Sequence, residues 1–200
     1  MIIFWRLLLS HLLADFTLQS DAVNAMKRKN VWGMAIHCLT HYFVSVALTW
    51  AYLPQAWVRL GSVEVSGWWA LNIMLVLHFA IDQLRVIGMR KRYKDGTLSF
   101  LADQALHVYV LFMISPVVMP SENCLLAEKW TGLAAIFVMV THVSTVLIYF
   151  LEKEFYGKAF PGFDEKYFLI FERLVLWLFF LVEGRWWVPF ALAWVAQLLY

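Results

Sequence analysis

Histidine and aspartate recur in this chain four residues apart inside apolar stretches: His11/Asp15, His37/His41, His78/Asp82 and Asp103/His107. Residues at this spacing share a helix face within about 6 Å, so each pair presents two metal-ligand-type side chains to one point. Five of the six histidines belong to these pairs. An ionisable group inside a membrane is costly, and it faces a bundle interior or a polar cavity. Four such pairs point to a metal centre, with His11, Asp15, His37, His41, His78, Asp82, Asp103 and His107 as candidate ligands.

Composition supplies the membrane. Of the 200 residues, 62% are hydrophobic and 15% charged, and 11 are tryptophan, a balance unlike that of a soluble domain. The length fits a single integral membrane domain spanning residues 1–200. The first apolar stretch carries His11 and Asp15 and has no small-residue cleavage site, so it reads as a retained helix and not as a cleaved signal. Cys38 falls in an apolar segment and Cys124 in a loop, which indicates neither a disulfide framework nor a thiolate metal motif. The net charge of +2 says little about partners.

A span needs roughly 20 apolar residues, and about seven stretches approach that length: 2–20, 34–56, 67–88, 98–119, 129–151, 166–183 and the short, Pro189-containing 186–200. The expected fold is all-α, a polytopic transmembrane bundle of about six to seven helices. Loops one, three and five hold Lys27, Arg28, Lys29, Arg90, Lys91, Arg92, Lys94, Lys153, Lys158 and Lys166, against Arg59, Lys129 and Arg185 in loops two, four and six. The positive-inside tendency then puts the odd loops in the cytoplasm and the N-terminus outside.

Ligands on separate helices can meet only at one depth. At about 1.5 Å per residue, His11 and Asp15 lie roughly 7–14 Å from the cytoplasmic end of segment one, and His37 and His41 roughly 5–11 Å into segment two. His78 and Asp82 stand roughly 9–15 Å before the end of segment three, and Asp103 and His107 roughly 7–14 Å into segment four. All four pairs therefore fall in the inner-leaflet layer. Segments one and three both run inward with His-x-x-x-Asp, and segments two and four return with His37/His41 and Asp103/His107. That order suggests two hairpin repeats around a common centre.

A lone intramembrane His or Asp is as readily an interhelical hydrogen-bonding contact. Four pairs at one depth favour metal binding over a proton or ion pathway. Unpaired His142 reads as a packing or ligand-supporting residue. Glu172 with Arg173 in segment six is an extra ligand or catalytic carboxylate, or an ion pair that orders the bundle. Five imidazoles and three carboxylates without a thiolate suit zinc foremost, or manganese or iron. Eight candidates exceed the needs of one tetrahedral ion and leave room for two, an arrangement that serves phosphoester hydrolysis. Asp15, Asp103 and Glu172 are then the candidate catalytic carboxylates. Arg85 and Arg173 are the candidate anchors for an anionic headgroup, whereas Lys27, Arg28 and Lys29 read as a solvated positive-inside flank.

The run His11-Leu12-Leu13-Ala14-Asp15-Phe16-Thr17-Leu18-Gln19, the basic loop after it, His37, His78-x-x-Ile81-Asp82, Asp103-Gln104-x-x-His107 and the late Glu172-Arg173 resemble the bacterial membrane proteins grouped as domain of unknown function 3307. The resemblance covers nearly the whole chain. It implies a multi-pass protein of the bacterial inner membrane without an assigned activity. The polar pattern is also similar in style to membrane-bound metal-dependent hydrolases, a fold-level analogy.

Three functions are expected from these residues. The first is a metal-dependent hydrolase of an ester or phosphoester, in a lipid, at the cytoplasmic leaflet; its nucleophile would be water, so the lack of a Gly-x-Ser-x-Gly elbow does not count against it. A divalent-cation or proton transporter is the second, and it predicts helices broken at the site, yet no Gly or Pro falls between any paired ligands. Third comes a di-iron oxidase resembling membrane desaturases, disfavoured by the three aspartates and the absence of a His-His doublet. The bilayer and a lipid substrate are the expected partners. Nucleic acid is not, because the basic runs are short and topology accounts for them.

Overall fold

In a computed structural model the described residues are mostly helical. The structure describes residues 1–91, 95–118, 120, 124–157, 159, 162–181, 188 and 192. Helices α1 (Ile2–Leu12), α2 (Asp21–Lys29), α3 (Val31–Thr49), α4 (Gly67–Arg90), α5 (Thr97–Ile114), α6 (Glu128–Val138), α7 (Ser144–Tyr156) and α8 (Phe163–Leu181) follow in order. Strands β1 (Ala56–Leu60) and β2 (Val63–Ser66) form one antiparallel hairpin between α3 and α4. The chain divides into two compact units, Met1–Val138 and Met139–Tyr200.

Among the described residues, four stretches are long and apolar enough to cross a membrane: Val31–Tyr52, Gly67–Arg90, Thr97–Ile114 and Glu128–Tyr156. The bent pair Ile2–Thr17 and Asp21–Lys29 makes a fifth if counted as one span. This is a polytopic membrane protein. The described α8 covers most of the expected sixth segment, although it is not among the stretches that pass on length and apolarity. Arg92, Lys94, Lys158, Arg185, Pro189 and most of the seventh stretch, 186–200, lie outside the described residues.

The first segment departs from the straight helix expected over 2–20. After Leu12 the backbone widens into a π turn, Leu13–Thr17, and then turns by 92° into α2. Helix α2 begins where the Ser20 side chain accepts the Val23 amide. Its sequence, Asp-Ala-Val-Asn-Ala-Met-Lys-Arg-Lys, is too polar to enter hydrocarbon, and none of its residues is buried. The basic loop of the sequence reading is thus a short amphipathic helix of the interfacial kind.

Helix α2 lies hard against α3 because Gly33 has no side chain. A Cβ there would meet the Met26 carbonyl carbon at 2.3 Å and the Lys27 nitrogen at 2.6 Å. Backbone cannot yield as a flexible side chain can, so Gly33→Ala should cost about 1–3 kcal/mol by overpacking. A thermal unfolding midpoint in detergent equal to that of the wild type would contradict this contact.

The hairpin was not expected from sequence. Val58, Leu60, Val63 and Val65 flank a turn in which Gly61 takes φ +63°, a conformation glycine adopts without strain. The exposed faces are tied by Arg59 and Glu64 at 3.0 Å. Trp57 of β1 is buried, and its indole donates to the Tyr52 carbonyl at 3.0 Å.

In the first unit α1 packs against α3, α5 and α6, and α4 packs against α3 and α5. The start of α1, the end of α3, the start of α4 and the end of α5 meet in one apolar cluster of Ile3, Leu7, Tyr52, Leu53, Trp57, Leu71, Met74, Leu111 and Ile114. Among these four, α1 and α4 therefore run one way and α3 and α5 the other. This leaves the other ends of the same four elements, which carry the His and Asp pairs, to converge beyond the apolar layer.

Candidate metal centre

Helix α1 is fixed to α3 by polar contacts one turn apart. The Ser10 and Ser45 hydroxyls stand 2.6 Å from one another, and Arg6 Nη1 donates to the Leu48 carbonyl at 3.1 Å. That registration sets His11 against His41, with ring centroids 5.2 Å apart. The π turn carries Asp15, a widening often found at functional sites. Its carboxylate lies 3.0 Å from His41 Nε2, 3.2 Å from His37 Nε2 and 3.5 Å from His11 Nε2.

Helices α4 and α5 close the ring. His78 Nε2 lies 3.4 Å from His37 Nε2 and 3.8 Å from Asp82 Oδ2. Asp82 also approaches His37 Nε2 at 3.2 Å and His107 Nε2 at 3.8 Å. The His78 ring centroid is 3.9 Å from that of His41 and 4.3 Å from that of His107. All four expected pairs thus reach one place, as the common depth required.

Two ligand groups emerge within it. One atom each of Asp15, His37, His41 and His78 lie within 4.8 Å of one another, and so do one each of His78, Asp82 and His107. His78 belongs to both. His11 and Asp103 stand outside these groups. His11 Nε2 donates to Gln104 Oε1 at 3.2 Å, since an amide oxygen can only accept. Asp103 Oδ2 accepts from Arg85 Nη1 at 2.9 Å and Gln104 Nε2 at 3.2 Å.

The donor chemistry fits a divalent cation. His107 Nδ1 is 2.9 Å from the Asp103 backbone carbonyl, so the proton is on Nδ1 and Nε2 offers a lone pair. That Nε2 is buried without a hydrogen-bond partner among the described residues. A charged carboxylate costs up to roughly 2.5–3.5 kcal/mol at the bilayer centre and less in the inner-leaflet layer, where these three fall. They require cationic partners. A cavity of about 10 Å³, about the size of one water, is lined by His11, His41, His78 and His107 together with Ser45, Met74 and Leu111.

Lys27 supplies one cation directly. Its Nζ lies 3.5 Å from Asp82 Oδ2 and 3.4 Å from His37 Nε2. The reading of Lys27 as part of a solvated flank is therefore corrected: the bend after Thr17 folds α2 back over the cluster and turns this side chain inward. Arg85 is held by carboxylates, with Nη1 on Asp103 and Nη2 on Asp95 at 2.8 Å. Arg28 Nη1 reaches the same Asp95 at 3.6 Å. Arg85 thereby orients Asp103.

Glu172, Arg173 and His142 belong to the second unit. Within it, buried Arg173 donates to the Thr141 carbonyl at 3.3 Å and to the Thr145 hydroxyl. His142 lies in a second π turn, Met139–Val143, with Nδ1 2.9 Å from the Thr141 hydroxyl. Gln104, which bridges His11, Asp15 and Asp103, was given no role in the sequence reading. Its signal was an amide inside an apolar helix.

A family model for proteins of unknown function, DUF3307, matches residues 3–133. The chain belongs to the DUF3307 family. The DUF3307 match takes in α1 to α5 and all eight candidate ligands, and it ends before His142, Glu172 and Arg173. No curated protein and no solved structure matches the chain.

Proposed function

We propose that this protein is a divalent-metal-dependent hydrolase of the bacterial inner membrane, acting on an ester or phosphoester of a lipid at the cytoplasmic leaflet. The observation that carries the proposal is the convergence of five imidazoles and three carboxylates, with two groups whose ligand-type atoms lie within 4.8 Å of one another. Zinc is the first choice and manganese the second, because the set is rich in imidazole and lacks thiolate. A bound divalent ion would supply Lewis acidity and lower the pKa of a coordinated water. Asp15, His37, His41, His78, Asp82 and His107 would hold it.

Asp103 is suited to the base. One of its oxygens is held by Arg85 and Gln104, while Oδ1 is buried without a partner among the described residues. In the proposed reaction a water oxygen bonds to phosphorus or to the acyl carbon, and its proton passes to Asp103 Oδ1. The ester bond breaks, and the leaving oxygen takes that proton. His11 and Gln104 keep Asp15 in place through contacts of 3.5 and 3.3 Å. The test is direct. Purified protein with zinc or manganese should release product from an anionic lipid or lipid-linked phosphate in liposomes, and a chelator should abolish the release.

One observation favours a second reading. The first helix is interrupted at Asp15 by the π turn and then bends by 92°, and transporters place their ion sites at broken helices. Uptake of Zn²⁺ or Mn²⁺ into proteoliposomes, with no hydrolysis across a broad lipid panel, would select it.

The leaflet follows from charge. Ten basic residues in the odd loops against three in the even ones support a cytoplasmic position for α2 and for the end of α4, and an outside N-terminus. On a background lacking Cys38 and Cys124, Lys91→Cys should be labelled only from the cytoplasmic side and Ser62→Cys only from outside. Cytoplasmic labelling of Ser62→Cys would invert the orientation and move the site to the other leaflet.

A further inference from the structure

Arg6 is a charge without a counter-ion. It is 1% exposed, in the first half of α1. Nη1 donates to the Leu48 carbonyl, the guanidinium carbon stands 5.6 Å from the Tyr52 ring centroid, and Nε has no hydrogen-bond partner among the described residues. No ion pair joins it to a carboxylate among those residues. Guanidinium groups keep their charge, and an unpaired buried ion is expensive. The Leu48 carbonyl and the Tyr52 ring offset part of that cost, and an anion in reach of Nε would offset more.

Arg6 is also among the residues that line a cavity of about 380 Å³ between the starts of α1 and α6. Exposed Lys129 and Glu128 line it from α6, and Trp5 from α1. Arg6 and Lys129 outweigh Glu128 by one positive charge, and two helix N-termini add their partial positive charge at the same place. Arg6 lies four residues from the start of α1, about 6 Å along its axis. That is within reach of a lipid headgroup. A guanidinium fork matches a phosphate better than it does a spherical anion.

We propose that this cavity binds a phosphate-bearing anion, with Arg6 as the anchoring cation and Lys129 lining it from α6. The site is distinct from the His and Asp cluster and does not depend on the hydrolase reading. The ligand is the phosphate of an anionic lipid or a free phosphate.

Native mass spectrometry of the full chain, taken from nanodiscs of phosphatidylcholine doped with phosphatidylglycerol, measures it. The wild type should retain phosphatidylglycerol in preference to phosphatidylcholine. Arg6→Met, which removes the charge at similar volume, should reduce that preference at least tenfold. Gly132→Leu should do the same by filling the cavity, because Gly132 lines it and a Cβ there meets nothing within 4 Å. That variant carries the test if Arg6→Met does not fold. Arg59→Gln, which removes an exposed charge on the hairpin, should change nothing. Displacement of the lipid by inorganic phosphate would identify the free anion as ligand, and persistence of the lipid would identify the headgroup; both support the site. Equal retention by the wild type, Arg6→Met and Gly132→Leu would overturn the proposal. So would a wild type that shows no preference and binds no phosphate.

Discussion

His78→Ala is expected to lose metal more completely than any other single substitution in the chain. His78 is the one residue common to both ligand groups, so its removal takes an imidazole from each. Affinity should fall at least tenfold, about 1.4 kcal/mol. The side chain is also buried against His41 and His107, and some stability will be lost with it. The two effects separate by measurement. Bound metal per protein reports the first, and the unfolding midpoint of metal-free protein reports the second. His142→Ala, in the second unit, is the comparison and should retain metal within about twofold of the wild type. If His78→Ala keeps wild-type stoichiometry and only its midpoint falls, the cluster is a hydrogen-bonded polar network.

Asp103→Asn is expected to abolish hydrolysis while sparing the metal. The substitution preserves size and the acceptor for Arg85, but an amide cannot take a proton from water. A positioned base is worth roughly 10²–10⁴-fold, and the rate should fall by that factor. Asp103 stands outside both ligand groups, so metal content should stay near that of the wild type. Asp15→Asn should differ in one respect, losing metal and activity together, because Asp15 meets His37 and His41 at 3.2 and 3.0 Å. An Asp103→Asn variant of unchanged rate would remove it from the base role. Loss of metal from that variant would make it a ligand.

The convergence of the four pairs was legible because helical rise and the apolar boundaries together fix depth. No pairwise contact had to be guessed. Helices α3, α4 and α5 were legible for the same reason, since long apolar runs offer the backbone no alternative inside a bilayer. The break in the first segment was not. A π turn costs little and leaves no mark in the hydropathy of Leu13 to Thr17, and the bend is set by where α2 packs on Gly33. Once α2 folds back, Lys27 points inward, so the basic flank lost a member to the site. The hairpin at 56–66 was hidden inside a loop, although Val58, Leu60, Val63 and Val65 around Gly61 alternate with the period of a strand. Gln104 and Asp95 are not legible in the sequence, because an amide and an acid outside the i,i+4 pairs carry no spacing signal. Arg85, expected as an anchor for an anionic headgroup, pairs with Asp95 and Asp103, and only three-dimensional proximity reveals that pairing.

The metal content of wild-type protein, purified in detergent without added metal and measured by elemental analysis, tests the central claim most directly. A metal centre requires at least one equivalent of zinc, manganese or iron per chain, lowered by His78→Ala and by Asp15→Asn. Protein that is folded by its unfolding transition, contains no such metal and takes none up from micromolar zinc or manganese would contradict the claim.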